Sequence, residues 1–166
     1  MKESIFQGEL KKTFESYGVW CEKFPDGIKT RDTRFIPSKP ADMIVVGKHS
    51  SILVECKQIR KIGKVNRNFF GNDKEKKDKV EFFNYRQVRE LVRFSHFTGQ
   101  KAYYAINIRC KGVNSLVFWN VNEFIEYFIK NDCIQKEELL FMAKTGIPGR
   151  KKLFRSDSFQ TFLNLM

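Results

Sequence analysis

Asp42, Glu55 and Lys57 lie within one stretch, Lys39 to Lys57, KPADMIVVGKHSSILVECK. Two short apolar runs there, Met43 to Val46 and Ile52 to Val54, read as strands joined by the turn-like Gly47-Lys48-His49-Ser50. Side chains alternate faces along a strand, so Leu53, Glu55 and Lys57 share one face while Ile52, Val54 and Cys56 share the other. Hairpin pairing across Gly47 to Ser50 brings the Asp42 carboxylate towards Glu55, and two acids and a lysine converge at one end of a small sheet. That set can hold a divalent cation. Magnesium takes oxygen ligands in octahedral geometry, commonly one or two carboxylates completed by water and phosphate, and Asp42, Glu55 and the main-chain carbonyl of Cys56 would supply part of that cage. A lysine two residues beyond Glu55 can orient or deprotonate an attacking water, or stabilise charge developing on a phosphate. The competing reading is a hairpin whose ends carry solvated charge, because Glu-x-Lys alone is a short pattern.

The elements that must position these groups belong to a chain of 166 residues, most simply one domain with a core large enough to need neither disulfides nor a structural metal. Lysine and arginine number 31 against 19 acids, a formal charge of +12 that favours a polyanionic partner. Nucleic acid is favoured over a membrane surface, because no segment approaches the roughly 18 apolar residues of a membrane span and the start lacks the apolar run of a signal peptide. A basic protein that merely stays dissolved is the alternative. Cys21, Cys56, Cys110 and Cys133 are widely spread without a C-x-x-C pair, which argues against zinc and for reduced thiols in a cytoplasmic setting.

Residues 2 to 17 read as an amphipathic helix with Phe6, Leu10, Phe14 and Tyr17 on one stripe, ended by Gly18. Glu3 falls at the edge of that stripe, with Gln7 and Glu9 on opposite flanks. Val19 to Phe24 reads as a strand, followed by a segment carrying Lys29, Arg31 and Arg34 immediately before the acidic stretch, where cations would meet phosphates. Lys57 to Lys79 holds nine basic residues against three acids and reads as a mobile loop or extended ribbon; Lys61, Lys64 and Arg67 would lie along a substrate backbone. Phe69-Phe70 in that arm either wedges into an unstacked base step or anchors the loop on the core or a second subunit. A helix over Val80 to Thr98 places Gln87 within an apolar stripe of Val80, Phe83, Leu91 and Phe94, an odd residue for a core. Strands at Ala102 to Arg109 and Ser115 to Val121 follow, then a helix from about Glu123 capped by Asn122, a short helix near Gln135 to Lys144, a break at Gly146 to Gly149, and a last helix opened by Ser156 or Asp157. Seventeen phenylalanines suggest apolar surface beyond one core.

Pro40-Ala41-Asp42, twelve intervening residues and Glu55-Cys56-Lys57 resemble the PD-(D/E)XK nuclease core, loosened by the alanine between proline and aspartate. The order helix, strand, hairpin, basic loop, helix with glutamine, strand, strand, helix is most similar to the Holliday-junction resolvases of that superfamily, over about Glu3 to Phe128; the tail from about residue 133 to 166 lies beyond it as an extension. The resemblance implies an α/β fold, a restriction-endonuclease-like core with a mixed central sheet flanked by helices. It implies DNA phosphodiester hydrolysis that depends on Mg2+, with Mn2+ able to substitute, by a homodimer acting on branched, four-way DNA. Asp42 and Glu55 would ligate the metal, Lys57 would act on water or phosphate, and Gln87 would support the site. Family members often carry a first-helix acid at the site, and the sequence leaves open whether Glu3 or Glu9 matches it. A restriction or homing endonuclease of the same fold and a non-catalytic nucleic-acid-binding domain are the rival readings.

Overall fold

In the computed structural model, which describes residues 3–25, 39–70, 86–150 and 152–166, the chain opens with helix α1 (Glu3–Ser16). Phe6, Leu10 and Phe14 recur every four residues and are fully buried, so one side of α1 packs down on a sheet. Gly18 takes φ 74°, a backbone region in which a side chain is disfavoured, and its N–H donates to the Glu15 carbonyl to close the helix.

Strand β1 (Trp20–Lys23), β2 (Met43–Val46) and β3 (Ser51–Ile59) form an antiparallel meander. Gly47 N–H donates to the Ser50 carbonyl across the β2–β3 turn, and Met43 pairs with Val54, which carries Asp42 to the level of Glu55. A short β4 (Val65–Asn66) and a 3-10 turn (Arg67–Phe70) follow, then helix α2 (Arg86–Thr98) and the long strands β5 (Ala102–Cys110) and β6 (Val113–Asn120). Helix α3 (Val121–Lys130), β7 (Cys133–Ile134), α4 (Lys136–Thr145), β8 (Ile147–Pro148) and α5 (Asp157–Asn164) complete the described chain.

The main sheet has six strands in the order β1-β2-β3-β5-β6-β8; β3 and β5 run parallel and the other neighbours antiparallel. This is a mixed α/β sheet flanked by helices. One face holds Ile52, Val54 and Cys56 of β3 against Phe6, Leu10 and Phe14 of α1 and Phe159 of α5. The other holds Leu53 and Ile59 against Val88 and Leu91 of α2, Phe124 and Phe128 of α3 and Leu139 of α4. β3 is therefore covered on both sides, and the only charged groups it buries are Glu55 and Lys57.

Several sequence expectations change. Many of the phenylalanines are spent on two cores, one per sheet face: Phe6, Phe14, Phe70, Phe124, Phe128, Phe154 and Phe159 are all fully buried, and Phe162 stacks on Phe118 at 3.8 Å, while Phe69, Phe97 and Phe141 stay exposed. Helix α3 starts two residues early, because β6 runs straight into it and Asn120, not Asn122, is the cap, its side chain accepting from the Asn122 N–H. The Gly146 to Gly149 break contains β8, which extends the sheet beside β6; a Cβ on Gly146 would come within 2.9 Å of the Leu116 carbonyl. Part of the expected basic loop is ordered, since β3 continues to Ile59 and β4 pairs with β7 of the tail. Lys29, Arg31, Arg34, Val80 and Phe83 lie outside the described residues.

Candidate active site

Asp42 stands just before β2, and it is only 5% exposed. Its Oδ2 accepts from the Cys56 N–H at 2.9 Å and its Oδ1 from Lys39 Nζ at 2.7 Å. The hairpin register makes the first of these contacts, because pairing Met43 with Val54 leaves the next residues out, Asp42 and Glu55, facing the same sheet end. Glu55 is 2% exposed; its Oε1 accepts from Lys57 Nζ at 3.0 Å and from the Gln87 amide of α2. Lys57, two residues along the strand, is itself buried and shares that face. Strand alternation, hairpin register and one helix thus bring Asp42, Glu55, Lys57 and Gln87 into one cluster.

Burial pushes the Glu55 carboxyl up to about 7; Lys57 opposes the shift, and the charges of Asp42 and Glu3 add to it. Glu3, at the start of α1, is also raised, first by burial, with Lys57 opposing and Asp42 adding. The two first-helix acids therefore separate. Glu3 reaches the cluster and lines the cleft beside it, whereas Glu9 is committed to Arg109 of β5 at 2.9 Å. The Cys56 side chain is wholly buried on the α1 face, with its thiol held well above the usual range by that burial, so only its main chain serves the cluster.

Two groups in this region were not singled out from sequence. Lys39 reads as one more surface cation, though its spacing three residues before Asp42 is a usable signal. Tyr104 reads as an apolar strand residue; it stands beside Glu55 in the β3–β5 register, fully buried, and its hydroxyl has no hydrogen-bond partner. The Gln87 amide oxygen is likewise buried without a partner. Lys61 and Lys64 line the cleft that starts at Lys57, while Arg67 lies at 3.6 Å from Asp132.

Among the described residues no grouping of three or more His, Cys, Asp or Glu side chains forms a metal cage. The donor set fits a hard cation such as magnesium better than a soft one: two carboxylates and an unpartnered amide oxygen, with no thiolate or imidazole, leave the remaining positions for water and phosphate.

The fold and cluster define a mixed α/β protein with a buried acid–lysine centre at one sheet end, open to a basic cleft. No family model matches the sequence, and no curated protein matches it. Among solved structures, the chain is similar to the 1.6 Å structure of a Holliday junction resolvase from the archaeal hyperthermophile Archaeoglobus fulgidus, with a TM-score of 0.45 and 15% identity over 72% of this chain and 77% of that one.

Proposed function

We propose that this protein is a magnesium-dependent DNA endonuclease of the PD-(D/E)XK kind, and within that class a structure-specific enzyme that places paired nicks in four-way junctions as a homodimer. The observation that carries the nuclease reading is the convergence of Asp42, Glu55 and Lys57 at the head of a basic cleft. Asp42 and Glu55, with the Cys56 carbonyl, would hold the metal, and Mn2+ would serve in its place. Bound there, the cation supplies Lewis-acid polarisation of a phosphoryl oxygen and neutralises charge at the phosphate. Lys57 orients the attacking water or stabilises the phosphate charge; Gln87 fixes the Glu55 carboxylate by donating to Oε1; Glu3 supplies the first-helix acid. The order of elements around the centre, similar to the junction resolvases, supports the finer reading.

Side-by-side digestion of a four-way junction and a linear duplex of the same sequence, in Mg2+ and in EDTA, tests both levels. Symmetric paired nicks in the junction, with the duplex intact and Asp42→Asn inactive, are expected. Cuts at one duplex sequence would move the protein to the restriction or homing type, and metal-independent binding without cleavage would make it a binding domain.

A further inference from the structure

The two adjacent phenylalanines of the basic arm differ in burial. Phe70 is fully buried, packed on Tyr104, Phe124 and Phe128 at centroid distances of 5.7, 5.0 and 5.7 Å. Phe69 is 42% exposed and lies edge-on against Phe70, at 5.2 Å and 88°. Its backbone is held from both sides: Phe70 anchors one end of the 3-10 turn, and Arg67 N–H donates to the Asp132 carbonyl at the other, next to the β4–β7 pairing. The Phe69 ring is therefore carried on a turn tied to the core on both sides, which lowers the ordering that binding would require.

That ring forms one wall of a cleft of about 960 Å3 that begins at Glu3 and Lys57 and carries Arg60, Lys61 and Lys64. Lys57 is engaged with Glu55, but Lys61 and Lys64 are exposed and pair with no described carboxylate. The cleft thus joins Glu3 and Lys57 of the acid–lysine centre to cations that no described carboxylate pairs with and to one partly exposed aromatic ring. Single isolated surface phenylalanines are ordinary. A half-exposed ring sharing one cleft with Arg60, Lys61, Lys64 and the Glu3–Lys57 end of the acid–lysine centre matches the way proteins take hold of a strand with a base out of its stack: cations on phosphates and an aromatic face under the base.

We infer that this cleft binds a DNA strand carrying an unpaired base, with the base stacked on Phe69 and the flanking phosphates on Arg60, Lys61 and Lys64. The inference deepens the nuclease reading, on which it rests for DNA as the partner, by specifying that the substrate presents an unstacked nucleotide beside the cut.

The test is binding in EDTA, which needs no cleavage. Two fluorescent DNAs are compared, one duplex with a single unpaired 2-aminopurine and the same duplex fully paired. The wild-type protein should prefer the first and change its 2-aminopurine emission on binding. Phe69→Ala should weaken binding of the unpaired-base DNA about 5-fold or more and abolish the emission change while leaving the paired duplex unaffected. Phe69→Tyr should keep both properties. Lys61→Ala with Lys64→Ala should weaken both DNAs alike and flatten the log-log salt slope by about 0.9 for each phosphate no longer neutralised. An unchanged preference in Phe69→Ala, equal weakening of both DNAs, or a change in sedimentation with binding intact would overturn the inference, the last assigning Phe69 to an interface with a second copy. Phe69-dependent binding without magnesium-dependent cleavage would remove the nuclease reading and leave this one; junction cleavage indifferent to Phe69 would do the reverse.

Discussion

At the scale of single residues, the centre combines two carboxylates that repel each other with lysines that hold them in place. Asp42→Asn or Glu55→Gln removes ligand charge and no phosphate-binding cation, so cleavage should fall by more than about 100-fold with DNA affinity within a few-fold of wild type. Lys57→Ala should be similarly slow. Single-turnover cleavage together with anisotropy separates the two effects, and full activity of Asp42→Asn at ordinary magnesium would show the metal site to be elsewhere. The raised Glu55 carboxyl makes a second prediction, for the metal-free protein. Its folded value of about 7 exceeds the ordinary 4.5, so between those values the folded state binds more protons than the unfolded one. Stability therefore falls as pH rises from about 4.5 to 7 and levels off above, by up to roughly 3 kcal/mol from this group. Urea melts in EDTA across that range should show the fall, and Glu55→Gln should flatten it. Added magnesium at pH 7.5 should recover stability in the wild-type protein and not in the variant.

At the scale of elements, the site depends on β3 being buried on both faces and on α2 crossing close enough for Gln87 to reach Glu55. Gln87→Ala takes away a donor to Glu55 Oε1 without changing charge, and should lower cleavage about 10- to 100-fold with the unfolding midpoint little changed. Phe70 ties the 3-10 turn to β5 and α3 by packing its ring on Tyr104, Phe124 and Phe128. Phe70→Ala should cost about 3–5 kcal/mol in denaturant unfolding, because the ring is fully enclosed and its removal leaves a cavity. An unfolding cost below about 1 kcal/mol would mean that the turn is not anchored through this ring.

At the scale of the whole molecule, the described residues of one chain present one acid–lysine centre, and the proposed paired cuts across a junction would need two. A C2 dimer places identical centres symmetrically about a substrate that is itself pseudo-symmetric. The interface of such a dimer would have to be apolar enough at its centre to offset repulsion between chains of +12. Phe70 and the tail residues Phe154 and Phe159 are buried within the chain and cannot serve it, whereas Phe141 and Ile129 are largely exposed. Sedimentation at micromolar protein in moderate salt should give about twice the chain mass of 19.7 kDa. A strict monomer that still makes paired cuts would sink the dimer. No described helix is long and apolar enough to cross a membrane.

The period-two pattern of β3 determines locally that Glu55 and Lys57 share a face and that Cys56 does not, and the turn at Gly47 to Ser50 determines that Asp42 comes back beside them; these were legible because each follows from a few consecutive residues. The helical stripe of α1 and the odd polar Gln87 in α2 were legible for the same reason. What only the tertiary structure decided depends on packing between distant segments. Glu3 and Glu9 are equivalent as acids flanking one helical stripe; packing turns one towards Lys57 and gives the other to Arg109, 100 residues further along the chain. Phe69 and Phe70 are the same residue type in the same arm. The pocket formed by β5 and α3 admits one ring and leaves the other in the cleft, since a dense interior has room for the ring whose backbone direction points into it and for no second.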